Sequence, residues 1–288
     1  AMENLHGMAN FKGEIVGTWP DVRARGIFDV GGFQVEDTTL DHPRGRFRFE
    51  QGHLAITDLS TDLFDGRLYG NIDMQWRIEQ PMHTRLVLGY EGLAGKLQLS
   101  GMLEDTYMDL SFEGSTHDVG EIARVVDYVE PIAGQLDFNG SLTGEFIAPE
   151  IRGRVAIKDL MARGSFIDSV RATLAYQRGT LDVAKAIVRQ GVGLFDIEGQ
   201  VLFPDGKGTP SVDLTIVTQN GSLRDVVALI YKELPIPEQA NGTMIVHADG
   251  TQDYSIKGSF SLPAGQAFGE QFDEGDVEFV LSQRGATL

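Results

Sequence analysis

The chain has no cysteine, few basic residues and no long apolar run, and each absence excludes a class of protein. Without cysteine there is no disulfide, no cysteine nucleophile and no thiolate metal site. The 24 Lys and Arg against 42 Asp and Glu give a formal charge of -18. Such a charge argues against nucleic acid as a partner and against a basic patch that docks on anionic membranes. No segment approaches the roughly 18 consecutive apolar residues of a membrane helix, so we expect any membrane anchor to lie outside this sequence.

Motifs that would indicate catalysis are weak. The 6 histidines are scattered without the spacing of metal ligands, and no G-x-S-x-G nucleophile motif occurs. Gly191-Val192-Gly193 is followed by Gly199, which is the wrong spacing for a dinucleotide-binding loop. The acidic run 273–276 lacks the further ligands of a calcium loop. We therefore expect a protein that is not an enzyme and that has no cofactor or metal.

Apolar and polar residues alternate with a period of two through most of the chain, as in residues 72–78 and 212–216. This alternation is typical of strands with one apolar face and one face in water. Strands of a parallel sheet would be apolar throughout. Together with 35 Gly against 10 Pro, the pattern predicts a mostly β protein with a long antiparallel sheet and many tight turns.

One segment recurs along the chain: an alternating strand, a polar turn around glycine, and the start of a second alternating strand. The turn glycines are Gly52, Gly179 and Gly285. Repetition at this scale predicts an array in which each unit buries its apolar face against its neighbours. The approximate units are 31–116, 117–219 and 220–288, and the third hairpin reaches the last residue. We therefore expect this sequence to be an internal fragment of one longer repeat array.

Two stretches depart from the period of two. Residues 118–129 and 223–232 carry apolar side chains three and four positions apart, which predicts two short α-helices. Each has a cap candidate before it and a proline after it. The strands that follow begin at Gly134 and Gly242.

A sheet of this many strands can cover its apolar face in two ways. It can split into a packed sandwich, whose two inner faces fill each other, or it can bend into a trough whose apolar interior takes a guest. The period of the strands does not separate these alternatives.

The run from Gly134 to Asp159 resembles the repeated signature of the AsmA-like superfamily, in particular its TamB type. That signature is G-x-L-x-x-x-G-x-L-x-G, then Pro149, then G-x-[apolar]-x-[apolar]-x-D, which ends at Asp159. The helix before it and the hairpin after it follow the same order. The resemblance covers most of the chain, from about residue 31 to the end.

The resemblance implies a sheet bent into an apolar trough, or β-taco, in the periplasm of a Gram-negative bacterium, within a protein anchored in the inner membrane. It implies phospholipid transfer between inner and outer membrane, with acyl chains held in the groove. An outer-membrane β-barrel protein is the implied protein partner. The alternative function is a chaperone-like scaffold for outer-membrane protein assembly, which would bind client β-strands at the sheet edges.

The groove lining follows from the apolar phase of the strands, while Arg48, Asp73, Gln98 and Asp137 in the other phase are expected outside. The expected lining residues are Phe47, Phe49, Leu54, Ile56, Ile72, Met74, Leu86, Leu88, Leu97, Leu99, Leu110, Phe112, Leu136, Phe138, Val155, Ile157, Leu214, Ile216, Met244 and Val246.

Overall fold

The chain divides into two compact units in the computed structural model. Unit 1 comprises Ala1–Thr116 and Asn139–Pro149, and unit 2 comprises His117–Phe138 and Glu150–Leu288. The predicted repeat units 31–116, 117–219 and 220–288 stay predictions, because the division into compact units does not test whether the sequence repeats. The structure describes residues 9–18, 21–31, 33–35, 38–63, 65–76, 81–93, 95–125, 131–162, 164–203, 210–221, 240–249, 253–262, 265–267, 270–272, 275–282 and 285–287.

Unit 1 is an open antiparallel sheet. Its strands are β1 (Ala9–Val16), β2 (Arg23–Val30), β3 (Phe33–Val35), β4 (Thr38–Glu50), β5 (His53–Leu63), β6 (Gly66–Gln75), β7 (His83–Gly92), β8 (Gly95–Glu104) and β9 (Tyr107–Thr116). From β4 to β9 each strand pairs with the next, and β2 lies between β1 and β4. A helix, α1 (Val119–Val125), follows in the chain, and β10 (Ile132–Glu145) is divided between the units at Asn139.

Unit 2 has the same construction. Its strands are β11 (Ala148–Ala162), β12 (Ser165–Gln177), β13 (Thr180–Gln190), β14 (Gly193–Leu202), β15 (Ser211–Gly221), β16 (Ala240–Asp249), β17 (Asp253–Leu262), β18 (Gly265–Ala267), β19 (Glu270–Phe272), β20 (Gly275–Ser282) and β21 (Gly285–Thr287). From β11 to β17 every pairing is antiparallel, and β20 continues the order after β17. Strands β18 and β19 form a separate two-stranded sheet. The expectation of a mostly β protein with a long antiparallel sheet is therefore confirmed, and the sheet is open.

Two of the recurring hairpins have the same turn. Gln51 and Gly52 have φ of 47° and 77°, and Arg178 and Gly179 have φ of 48° and 78°. Positive φ at both central residues is the signature of the two-residue turn that matches the twist of its strands. In the third copy Gly285, which the sequence predicted in the turn, is instead the first residue of β21 and lies opposite Ser282 of β20. Residues 283–284, between these strands, lie outside the described residues.

The described helix is shorter than the predicted segment 118–129. It starts at Val119, because Asp118 caps it: the Asp118 carboxylate accepts a hydrogen bond from the Gly120 N–H at 2.9 Å. An ion pair between Glu121 and Arg124, 2.6 Å long, joins its first and last turns. Residues 126–130 and the whole second predicted helix, 223–232, lie outside the described residues, so the structure shows one short helix where two were expected.

Bulges interrupt the alternation at recurring places. Asp58, Asp159 and Asn220 have φ of 53°, 52° and 50° inside their strands. The Asp58 N–H donates to the Asn71 side-chain oxygen at 3.2 Å, and the Asn220 N–H donates to that of Asn241 at 2.6 Å. Asp and Asn tolerate this backbone region better than other side chains. The strand pairing shifts at Asp58 and at Asn220, so these two positions are bulges that increase the local twist while the freed amide keeps a partner.

Candidate functional site: an uncharged apolar face

One face of unit 1 is assembled from side chains that the strand register brings into rows. Phe47 lies opposite Ile56, Ile56 opposite Ile72, and Ile72 opposite Leu86. The row continues through Gly101 to Leu110. Neighbouring strands of a sheet place such partners on the same face, so the row crosses six strands. We call the surface formed by this row and its parallel neighbours the apolar face of unit 1.

Two further rows extend this surface on either side. In one, Phe49 and Leu54 lead to Met74, Thr84, Leu103 and Met108. In the other, Leu88 lies opposite Leu99, and Leu99 opposite Phe112. Leu86, Met108 and Leu110 are buried, and Leu88, Leu99, Leu103 and Leu142 pack against them. The register thus brings together the predicted residues of unit 1 as one contiguous surface.

Unit 2 has an apolar face of the same kind. Val155 leads through Ala172, Ala186 and Ile197 to Ile216 and Met244. Beside it, Ile157 leads through Val170 and Val188 to Phe195 and Thr218. Leu214 lies opposite Val246. Ile216 and Met244 are 1% exposed and Val246 is 5% exposed, so this part of the face is covered.

The burial of the predicted residues follows their phase. All of them are buried or half-buried except Leu97, which is 37% exposed. Leu136 and Phe138, on β10, are half-buried. Of the residues expected on the other side, Arg48, Gln98 and Asp137 are exposed, and Asp73 is half-buried on the polar face.

Three deeply buried residues were missed by the sequence reasoning: Phe195, Ile167 and Thr218. In the chain Phe195 stands between Leu194 and Asp196, and the run Gly193-Leu194-Phe195 has no period of two that would fix its phase. Its ring lies over the backbone of Gly221 on β15, where a glycine leaves the space. The glycine after Asn220 was the available signal, because a strand glycine often marks such a close approach.

The apolar face of unit 1 carries no charge in the described part of β5 to β9. Its positions hold apolar residues, glycine, a few threonines and Tyr90, and burial raises the pKa of the Tyr90 hydroxyl. Thr61 is satisfied by donating to the Asp41 carbonyl oxygen at 2.9 Å. Asp58, at the bulge, turns to the other side and pairs with Arg46 at 3.2 Å. A surface without charged side chains favours the burial of apolar groups.

The charged residues lie on the opposite face. There His53 Nε2 is 2.6 Å from Asp73 Oδ2, and this hydrogen bond, with that from Gln75 and the charge of Arg85, lowers the pKa of Asp73. A hollow of about 690 Å³ opens on this face. Asn71, Arg85 and Met102 are among its lining residues, so its lining mixes polar, charged and apolar side chains.

In the described residues no group of three or more His, Asp or Glu side chains is arranged to hold a metal ion. The described helix is too short to span a membrane. Comparisons with protein-family models, with characterised proteins and with solved structures found no match.

Proposed function

We propose that the apolar face binds the acyl chains of phospholipids and that the chain is part of a periplasmic lipid-transfer protein. The observation that carries the proposal is the uncharged surface of unit 1, which crosses β4 to β9 in register. An acyl chain needs continuous apolar contact, whereas a single charged side chain in its path would be costly. The strands supply that contact without a break.

The energetics suit a carrier better than a storage site. At about 0.8 kcal/mol per buried CH₂ group, two acyl chains would favour the apolar face over water by tens of kcal/mol. Against a bilayer, which offers the same apolar contact, the net difference is near zero. Lipid would therefore move along the surface passively, without falling into a deep trap.

The signature from Gly134 to Asp159 supports membership of the AsmA-like superfamily, of the TamB type. Its terminal Asp159 has a φ of 52°, close to the 53° of Asp58, so the signature ends on a backbone conformation that recurs along the chain. On this proposal the sheet bends into a trough that carries phospholipid between inner and outer membrane. The membrane anchor lies outside this sequence, and an outer-membrane β-barrel protein is the partner.

Mass spectrometry of the purified protein after solvent extraction tests the proposal. We expect phospholipid to co-purify in stoichiometric amounts, and stripped protein to take it up again from phosphatidylethanolamine vesicles. A protein that comes out free of lipid and stays free of it beside vesicles would contradict the proposal. Binding of extended client peptides by that lipid-free protein would then favour the chaperone-like scaffold.

Two variants place the same carboxylate on opposite faces of β9. Leu110→Asp puts it on the apolar face, where Leu110 is buried, and Ser111→Asp puts it on the exposed polar face. An unpaired carboxylate beside acyl chains costs several kcal/mol, so Leu110→Asp should lose lipid while Ser111→Asp keeps it. Circular dichroism of both variants checks that the sheet is folded. Normal lipid loading of a folded Leu110→Asp protein would remove the proposal.

A further inference from the structure

The apolar face of unit 1 includes one aromatic hydroxyl in the described part of β5 to β9, that of Tyr90 on β7. Tyr90 lies opposite Leu68 of β6 and Leu97 of β8. It is two residues along the strand from Leu88, so its side chain is on the same face. Tyr90 is half-buried. The register thus places a group that donates and accepts hydrogen bonds in a row of apolar side chains.

Two glycines leave room for the Tyr90 hydroxyl at the end of the strands. Gly66 and Gly92 lie opposite each other, one row beyond Tyr90. A Cβ atom at Gly66 would lie 2.6 Å from the hydroxyl oxygen of Tyr90, and one at Gly92 would lie closer still. The ring therefore leans outward over these glycines, and the hydroxyl reaches the strand ends. We call the strand ends formed by Leu63, Gly66, Gly92 and Gly95 the glycine rim.

The Tyr90 hydroxyl is available as a hydrogen-bond donor. It makes no hydrogen bond to another residue in the part of the chain that the structure describes. Burial raises the pKa of Tyr90, and the charge of Asp65 raises it further, so the hydroxyl keeps its proton at neutral pH. A tyrosine with its ring on an apolar surface and its hydroxyl at the border is typical of boundaries between apolar and aqueous surroundings.

A second hollow adjoins this hydroxyl. It has a volume of about 530 Å³, and its lining includes Asp62, Asp65, Gly66, Arg67, Tyr69 and Glu91. Gly66 belongs to this lining and also lies beneath the Tyr90 hydroxyl. The hollow and the hydroxyl therefore meet at the glycine rim.

The charges of this hollow are only partly paired. Glu91 is paired with Lys96, whose Nζ lies 2.7 Å from Glu91 Oε1. Arg67 Nε lies 3.9 Å from Asp62 Oδ1, which is too far for a hydrogen bond. Asp65 is exposed and makes no hydrogen bond or ion pair with another described residue. The hollow thus offers both a guanidinium group and a carboxylate to a ligand that carries both signs of charge.

We propose that the glycine rim binds the headgroup of a zwitterionic phospholipid whose acyl chains lie on the apolar face. Tyr90 donates a hydrogen bond to a phosphate oxygen, and Asp65 accepts one from the ammonium group, which lies in the hollow. The inference rests on the proposed lipid binding, and it adds the orientation of the lipid. The headgroup is at the glycine rim, and the chains run from Tyr90 toward the rows of Leu88 and Leu86.

The charges favour a headgroup with an ammonium group over an anionic one. Hydrogen bonds between charged groups are roughly twice as strong as neutral ones. Phosphatidylethanolamine has both a phosphate and an ammonium group. Phosphatidylglycerol has the phosphate alone, so it would leave the Asp65 carboxylate beside a second negative charge, which is unfavourable.

Competition between these two lipids tests the inference. Stripped protein is incubated with vesicles of equal parts phosphatidylethanolamine and phosphatidylglycerol, and the lipids that it takes up are extracted and counted by mass spectrometry. We expect phosphatidylethanolamine to exceed phosphatidylglycerol about tenfold. Equal uptake of both lipids would overturn this inference and leave the proposed function intact. A protein that takes up neither lipid would contradict the proposed function, and this inference with it.

Tyr90→Phe removes the hydroxyl and keeps the ring on the apolar face. Because both lipids have the phosphate, the lipid concentration that half-loads the protein should rise about tenfold for each of them. Tyr107→Phe is the matched control, since Tyr107 is 48% exposed and lies at the opposite ends of the strands. It should load as the original protein does. Unchanged loading of Tyr90→Phe would overturn the role of the hydroxyl.

Asp65→Asn tests the selection of the headgroup. Without the carboxylate, the excess of phosphatidylethanolamine over phosphatidylglycerol should fall from about tenfold to about twofold or less. Asp109→Asn makes the same charge change on an exposed residue of β9, and it should keep the original ratio. An equal fall in this control would mean that the net charge of the protein selects the lipid, and the assignment to the glycine rim would be wrong.

A soluble competitor separates a lipid headgroup from a free phosphate ester. Glycerophosphoethanolamine carries the same phosphate and ammonium groups but has no acyl chains. Since the chains contribute most of the apolar burial, it should not displace bound phosphatidylethanolamine even at millimolar concentration. Displacement at the concentration that the lipid itself requires would identify a site for a soluble phosphate ester and would overturn the proposed orientation of the lipid.

Discussion

Phe203 donates its backbone N–H to the carbonyl oxygen of Gly179, the last residue of a two-residue turn, at 2.6 Å. In unit 1 Trp76 makes the same bond to Gly52 at 2.8 Å. The aromatic side chains match as well. Phe49 stacks on Trp76 with centroids 5.7 Å apart, and Tyr176 meets Phe203 edge to face at 6.5 Å. The recurring segment is therefore a three-strand structure, in which the end of the third strand closes over the turn of the first two.

Gly179→Ala should destabilise unit 2 more than the backbone conformation alone explains. Its φ is 78°, and a Cβ there would lie 2.6 Å from the Phe203 carbonyl oxygen. Gly164 has nearly the same φ, 80°, with nothing within 4 Å of such a Cβ. Gly164→Ala should cost about 1 kcal/mol from the left-handed backbone, and Gly179→Ala at least twice that. Urea unfolding measures both free energies, and equal losses would show that the closure over the turn contributes nothing.

Phe195→Ala should be among the most damaging substitutions in unit 2. The ring has 0% of its surface exposed, and emptying such a site costs about 3–5 kcal/mol through lost burial and the cavity left behind. Phe166 on β12 is 48% exposed, so Phe166→Ala should cost about 1 kcal/mol or less. The comparison uses denaturant unfolding of both variants. A similar loss for the two would contradict the placement of Phe195 on the covered face.

Thr218→Val should be neutral or stabilising. The Thr218 hydroxyl is buried and has no hydrogen-bond partner among the described residues. A buried polar group without a partner costs about 1–3 kcal/mol of desolvation, and the substitution removes that cost. Thr61 is buried to a similar degree, but its hydroxyl donates to the Asp41 carbonyl oxygen at 2.9 Å. Thr61→Val should therefore destabilise by about 1 kcal/mol. Thermal unfolding of both variants gives the two signs, and destabilisation by Thr218→Val would refute this prediction.

The hydrogen bond between His53 and Asp73 on the polar face should make the stability of the protein depend on pH in the acid range. The hydrogen bond from His53 lowers the pKa of Asp73. In the pH range between this lowered pKa and the ordinary aspartate pKa, the Asp73 carboxylate is ionised in the native state and protonated in the unfolded chain. The contribution is present above the ordinary aspartate pKa and is lost as the pH falls through the lower native one. Because both side chains are more than one third exposed, we expect a small effect.

A carboxyl NMR titration of Asp73 in the original protein and in His53→Gln measures this contribution. We expect the Asp73 pKa to lie below the ordinary range and to rise in the variant. An Asp73 pKa that is identical in both proteins would mean that the hydrogen bond does not act in solution.

The period of two predicted the fold and much of the face. Where strands contain no bulge, as in the row from Ile72 through Leu86 to Leu110, the alternation of the sequence alone predicted which side chains lie on the covered face. The repeated glycine turns likewise indicated hairpins at Gly52 and Gly179, and the structure has them.

The bulges could not be predicted from the sequence. At Asp58 the pairing with β6 shifts between Ile56 and Leu59, so a strict alternation loses its phase there. Whether an Asp in a strand adopts positive φ depends on a partner such as Asn71 from the next strand, which no local pattern contains. For the same reason the depth of burial of Phe195 followed from the glycine that β15 places beneath it, and not from its own neighbours in the chain.

The central claim is that one face of the sheet contacts acyl chains and the other does not. A photoactivatable phenylalanine analogue in place of Leu97 would sit on the apolar face, and the same analogue in place of the adjacent Gln98 would sit on the polar face. After irradiation with phosphatidylethanolamine vesicles, mass spectrometry counts lipid adducts on the intact chain. The account predicts phospholipid adducts at position 97 and none above background at position 98. Equal labelling of both positions, or labelling at 98 alone, would contradict it.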